Sequence, residues 1–313
     1  MKNTFPRPSR CAPVLSAALA LAISSSAVVA ENATQTSLTD TQQLGDDGSS
    51  ERIALAGQLR MLSQRVVSAA CFYQAGIEPD SSLAVLGEAT AAFGTIAHAL
   101  EHGDPALGVV GAEDRRRTLA GLAKLNELWT PIADLAQTVK AGAGTTEDVS
   151  AIATQSVALL DVADRLVVQI TSQYAGQTTV LQSDAVRLDI AGRQRTLSQQ
   201  IAMNGCLVQR GIEAETNSAA LATAAQNFDV SMNALRFGLQ EVGILPPPNQ
   251  DIIDSLDEVA GNWSFMNRIV SNLTSGGSVD DLTLGVMFLM SNQVTGNMER
   301  VVDLYSEASK LDS

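Results

Sequence analysis

AGQLRMLSQRVVSAAC, residues 56–71, returns 135 residues later as AGRQRTLSQQIAMNGC, residues 191–206. Ala, Gly, Arg, Leu, Ser, Gln, Cys, Gln, Gly, Ile and Glu recur at matching places from position 56 to position 78. At 100° per residue, Leu55, Leu59, Leu62, Val66 and Tyr73 fall on one stripe of a helix, and Ile190, Leu197, Ile201 and Val208 do the same in the second copy. That stripe closes a helical bundle. Almost opposite it runs a second stripe, Ile53, Gly57, Arg60, Gln64, Val67 and Cys71, matched by Leu188, Gly192, Arg195, Gln199, Ala202 and Cys206.

A solvated face carries several charges, whereas this second stripe holds glycine, small apolar groups, an amide, a cysteine and one arginine per copy. Its alternating steps of four and three residues are those of a helix packed along another helix, and glycine permits close approach. Arginine is the misfit. Its desolvation is costly unless an anion meets its fork of donors, and two arginines facing one another repel without one. A small oxyanion held by Arg60 and Arg195, with Gly57, Gly192, Gln64 and Gln199 beside them, satisfies both.

The rest of the chain agrees with a helical duplication. Of its 313 residues 45% are hydrophobic but only 4% aromatic, a composition suited to helix bundles. Pro and Gly clusters cut it into helical segments near 51–75, 81–101, 114–140 and 146–174, then 184–210, 215–241, 249–274 and 279–310. Trp129 and Trp263 sit midway along the third helix of each copy, as core residues. Thr145 to Asp148 and Ser278 to Asp281 each place a hydroxyl three residues before an acid, a start signal for the fourth helices. The expected class is all-α, two tandem antiparallel four-helix bundles over 51–175 and 176–313.

Residues 1–30 have a basic start, an apolar run from Ala12 to Ala22 and Val28-Val29-Ala30 as a small-residue cleavage site, the marks of a signal peptide cut after Ala30. Residues 31–50 form a disordered lead-in, and no later stretch is expected to cross a membrane. Export to the periplasm follows. Losing the leader removes three basic residues and no acidic one, taking the net charge from -14 to -17, which argues against a nucleic-acid partner. It also discards Cys11 and leaves Cys71 and Cys206, an even pair that suits a disulfide in an oxidising compartment.

The stretches IALAGQLRMLSQRV (53–66) and LDIAGRQRTLSQQI (188–201) resemble the PilJ/NarX-like sensor domain of type IV pilus chemotaxis transducers and nitrate/nitrite sensor kinases. The resemblance implies an antiparallel four-helix bundle in each copy and an anion bound by the motif arginine at a dimer interface, here Arg60 and Arg195. It also implies a geometry for the cysteines. If the motif helices lie parallel about a pseudo-twofold, as in the homodimer of those nitrate sensors, Cys71 meets Cys206 as Arg60 meets Arg195, and one chain builds its own dimer. If the stretch from Tyr174 to Ala185 instead stays helical and stacks the copies end to end, the cysteines are free thiols or bridge two chains of a homodimer. The copies differ within the motif, where Gln194 replaces Leu59 and Gln200 replaces Arg65.

His98 and His102, the only histidines, stand at i, i+4 in the last turn of a helix, where the helix dipole favours them, and no third metal ligand follows. Arg115-Arg116-Arg117 has the character of a solvated face. Without HExxH, phosphate-loop, GxSxG or CxxC patterns the chain lacks the parts of an enzyme or cofactor protein. The expected function is a non-enzymatic sensor of a small inorganic anion, nitrate or nitrite favoured, reporting to a membrane-bound receptor or kinase. The competing expectation is a periplasmic scaffold or pilus-associated interaction protein with no small ligand.

Overall fold

The computed structural model describes residues 48–174, 176 and 182–311. Among them run eight α-helices: α1 (Ser49–Gln74), α2 (Pro79–His102), α3 (Arg116–Lys140), α4 (Thr146–Tyr174), α5 (Gln182–Gln209), α6 (Ala214–Phe237), α7 (Gln250–Thr274) and α8 (Asp281–Leu311). The expected signal peptide, residues 1–30, and residues 31–47 of the expected lead-in lie outside the described residues, but the last residues of that lead-in are not disordered. Ser49 and Ser50 already belong to α1, which starts after Gly48 in the left-handed region at φ 76°. A Cβ at Gly48 would stand 2.3 Å from the Gly108 carbonyl oxygen, so only glycine fits this entry.

Each copy closes a ring. In the first, α1 packs on α2 and α4, and α3 joins those two; in the second, α5, α6, α8 and α7 take the same places. Short connections make successive helices antiparallel. The copies then meet through α1 and α5. Arg60 reaches Asp189 near the start of α5, while Cys71 and Cys206 are joined further along by a disulfide with Cα atoms 6.3 Å apart, so the two helices run parallel, side by side. The end-to-end stack is not what forms.

Because α1 and α5 serve both their own bundle and the seam, both stripes are largely buried, with Ile53, Tyr73 and Leu188 half-buried. Leu55, Leu59, Leu62 and Val66 face one way, Arg60, Gln64, Val67 and Cys71 the other, and all eight are under 9% exposed. The second copy is less regular. Ile201 is buried, but Ile190, Leu197 and Val208 are only half-buried, and the fully buried Gln194 stands where the first copy has Leu59. Phe93 stacks on Trp129 with ring centroids 3.9 Å apart, and Phe228 packs against Trp263 at 4.5 Å, placing both tryptophans in the cores.

Several local features differ from expectation. The sixth helix ends at Phe237, not 241, because Gly238 at φ 77° turns the chain into a 3-10 turn, Gln240–Val242, clipped by a bridge between Leu239 and Ile244. The first copy has the same device, Pro105–Leu107 with Asp104 bridging Val109. Thr145 and Asp148 exchange hydrogen bonds at the start of α4 as the capping signal implies, whereas α8 starts at Asp281 and it is Asp280, not Ser278, that accepts from the Thr283 amide at 2.7 Å. One later helix, α2, is in fact long and apolar enough to cross a membrane, with mean hydropathy 1.4 over its best window. Its alanines raise that figure, and Leu86, Phe93, Ile96 and Leu100 bury one face in the first bundle.

Candidate functional site: the arginines of the α1–α5 seam

Arg60 and Arg195 are 3% and 5% exposed, one on each side of the seam. A Cβ placed on Gly192 would stand 3.6 Å from Arg195 Nη2 and 4.0 Å from Arg60 Nη2, so the two guanidinium groups converge on one glycine. Gly57 is the equivalent point in the first copy, 3.7 Å from Arg60 Nη2 by the same measure. Two like charges thus share a tight space, and the absent side chains make the room.

Each arginine has a carboxylate from the fourth helix of its own copy. Arg60 Nη1 lies 3.4 Å from Asp164 on α4, and Arg195 Nη1 lies 3.2 Å from Glu299 on α8. Asp164 and Glu299 are themselves 135 residues apart, so the duplication runs through these pairs too. Arg60 has a further partner across the seam, Asp189 of α5, at 3.0 Å. The other Asp189 oxygen accepts from Arg193 Nε at 2.9 Å. Burial opposes the Asp189 charge, yet Arg60 and Arg193 outweigh it and hold the carboxyl below its ordinary range. For Arg195 burial lowers the guanidinium pKa, Glu299 opposes the shift, and the like charge of Arg60 adds to it. The Nε atoms of both Arg60 and Arg195 are buried without a hydrogen-bond partner.

The glutamines of the motif do other work. Gln199 Nε2 donates to Thr295 Oγ1 at 2.8 Å and lies within reach of Ser291 O and Asn292 Oδ1, tying α5 to α8. Gln64 Nε2 donates to Ser63 Oγ at 3.1 Å. Neither hydrogen-bonds to the arginines. Gln200 instead lines a groove of about 350 Å³ along α5 and α6, with Asn204, Thr223 and Asn227. At the equivalent places the first copy has Arg65 and Glu88, where burial lowers the Arg65 pKa against the attraction of Glu88 and Glu299.

A second duplicated arginine pair was not singled out in the sequence, although the same offset marks it. Arg52 donates to the carbonyls of Leu100 at 3.0 Å, Gly111 at 2.5 Å and Val110 at 3.3 Å, with Glu113 at 3.9 Å. Arg187 donates to Pro246 O at 3.2 Å and pairs with Asp184. Each faces the ring of a fourth-helix tyrosine, Tyr174 or Tyr305, at 5.5 Å. Burial pushes the Tyr305 hydroxyl up to about 12, and burial with a hydrogen bond to Glu113 raises Tyr174. These arginines satisfy carbonyls at the end of the second helix and in the turn that leads to the third, so their role is structural. Arg115 also departs from a solvated face, since it stacks on Tyr174 at 4.1 Å and pairs with Glu113 at 3.5 Å, while Arg116 and Arg117 are exposed. His98 and His102 are exposed with ring centroids 4.5 Å apart, and among the described residues no group of three or more metal-ligating side chains forms.

A family described as type IV pili methyl-accepting chemotaxis transducer N-term, PilJ, matches this chain over two segments, 45–154 and 177–283. Asp189, Arg193 and both seam arginines fall inside them, and Asp164 and Glu299 fall outside. No curated protein matches the chain.

Proposed function

We propose that this chain, which belongs to the PilJ family of type IV pilus chemotaxis transducer N-terminal domains and carries that domain twice, is an exported sensory module that binds a small oxyanion in its own α1–α5 seam. Nitrate and nitrite head the candidates, and the report passes to a membrane-bound receptor or kinase. The supporting observation is the convergence of two buried guanidinium groups on Gly192. Such a pair is held apart in energy by mutual repulsion and relieved by one anion between them.

The exposures set the direction of ligand exchange. Asp164, Asp189 and Glu299 are 41%, 42% and 46% exposed, so each has water as an alternative partner, whereas the arginines are fixed under the helices. An entering oxyanion therefore displaces half-solvated carboxylates and gains donors that have nowhere else to turn. Occupancy would tighten α1 against α5, and a shift between those parallel helices is the natural output of a helical sensor.

One observation favours the other reading, an envelope scaffold without a small ligand: each arginine already has a carboxylate. The two are separated by thermal-shift measurements of the purified chain against nitrate, nitrite, sulfate, chloride and acetate. A ligand at a hundred times its Kd stabilises by about 2.7 kcal/mol. Arg60→Ala and Arg195→Ala should each abolish that shift and keep the helical content. A flat response to all five anions leaves the scaffold.

A further inference from the structure

Superposing the two copies through their offset of 135 residues exposes one break in the symmetry of the seam. Arg60 of α1 meets a carboxylate of the opposite copy, Asp189. The position equivalent to Asp189 is Ala54, an exposed alanine. Among the described residues Arg195 consequently meets no carboxylate of α1, and its ion pair there is with Glu299 of its own copy. The same break affects the neighbours one turn on. Arg193 braces Asp189 from below at 2.9 Å, while its equivalent, Gln58, reaches across to Glu299 at 3.5 Å.

We propose that Asp189 is a tethered competitor for the seam site: its carboxylate takes the place on Arg60 that a diffusible anion would take, and it thereby sets the concentration at which the anion binds. This rests on the anion-site reading above and adds to it the residue that tunes it. Three features support the assignment. The Asp189 carboxylate uses Arg60 Nη2, the same atom that points at Gly192 and towards Arg195. It is half-exposed, so it can leave for solvent without burying a charge. Arg193 holds its second oxygen and stays with it, so displacement does not strand an unpaired carboxylate.

The test is anion titration of the full chain and three variants, Asp189→Ala, Asp189→Asn and Ala54→Asp, with nitrate, nitrite, sulfate and acetate as probes, followed by calorimetry and by thermal shift. Removing the competitor should tighten the Kd about tenfold, the low end of what a charge-assisted hydrogen bond supplies. Acetate, a free carboxylate, should gain most in Asp189→Ala, because it can reoccupy the vacated place. Ala54→Asp should weaken binding by a comparable factor by giving Arg195 the partner it lacks. Asp189→Asn keeps the shape and serves as the folding control. An anion response that appears in Asp189→Ala and not in the natural chain supports the proposal. Equal or weaker affinity in both Asp189 variants, with the natural chain still binding, overturns it and leaves the anion site standing. Silence from every variant with every probe removes the site and its competitor together.

Discussion

The first copy is a finished bundle and the second a looser edition of it. On α1, Leu59 is buried in the core; on α5 the same place holds Gln194, which donates to Phe228 O at 3.3 Å and leaves its Oε1 buried without a partner. Arg52 satisfies three carbonyls, and Arg187 one. Where the first copy sets Arg65 near Glu88, the second has Gln200 and Thr223 on an open groove. The turns between second and third helices share a backbone, and each leaves apolar residues in water: Val110 in the first, and Phe237, Leu239, Val242 and Leu245 at 39–67% exposed in the second. The two halves thus share the seam glycine, arginine, glutamine and cysteine while differing in parts of the core and the turn.

Three sets of substitutions and one titration probe that contrast. The largest effect belongs to what the copies hold in common. The Cys71–Cys206 disulfide closes a loop spanning 135 residues, so replacing both cysteines by serine should lower stability by about 4–5 kcal/mol on the chain-entropy account. Denaturant unfolding checks this, and a loss under about 1 kcal/mol would mean the copies stay paired without the staple. Next come the turn arginines. Arg52→Ala should destabilise by about 2–4 kcal/mol and Arg187→Ala by about 1–3 kcal/mol, because the first gives up three carbonyl partners, that of Leu100 buried, and the second one. Equal losses would erase the distinction between the copies at this point.

A smaller effect, with the opposite sign, is expected from Gln194→Leu. Giving the second copy the leucine of the first removes an unsatisfied buried oxygen and adds apolar packing, for a gain of about 1–2 kcal/mol in thermal or denaturant unfolding. A loss would show that the Gln194 bond to Phe228 outweighs its orphaned atom. The smallest is the pH dependence carried by Asp189. Its folded pKa is depressed, so its contribution is complete above the unfolded value near 4 and fades as pH falls through the folded value. Asp189→Asn should flatten that acid limb slightly, and an unchanged limb would show that other carboxylates carry it.

Much of this was legible in the chain itself, and for stated reasons. Helix boundaries came within one to four residues because glycines at Gly76, Gly103, Gly142, Gly211 and Gly238 adopt positive φ and end or separate helices there. The Thr145–Asp148 cap is local chemistry, readable from four residues. At the other extreme, Glu78 and Glu213 both adopt the left-handed region, at φ 47° and 41°, although nothing about glutamate suggests it. The carboxylate partners of Arg60 and Arg195 were invisible for a different reason. Asp164 and Glu299 lie on the fourth helices about 100 residues away, and only packing brings them to the seam.

What the sequence by itself determined is the duplication, the helical class and the presence of a second buried stripe with one arginine and one cysteine per copy. Periodicity and repetition are properties of a string, and they survive without coordinates. Only the tertiary structure decided that α1 and α5 lie parallel and adjacent. That choice joins two similar patterns in one asymmetric seam. A helix face specifies what it can pack against but not which partner it meets, and Asp189 comes to pair with Arg60 only because α5 lies beside α1, while Asp164 reaches the same guanidinium from α4.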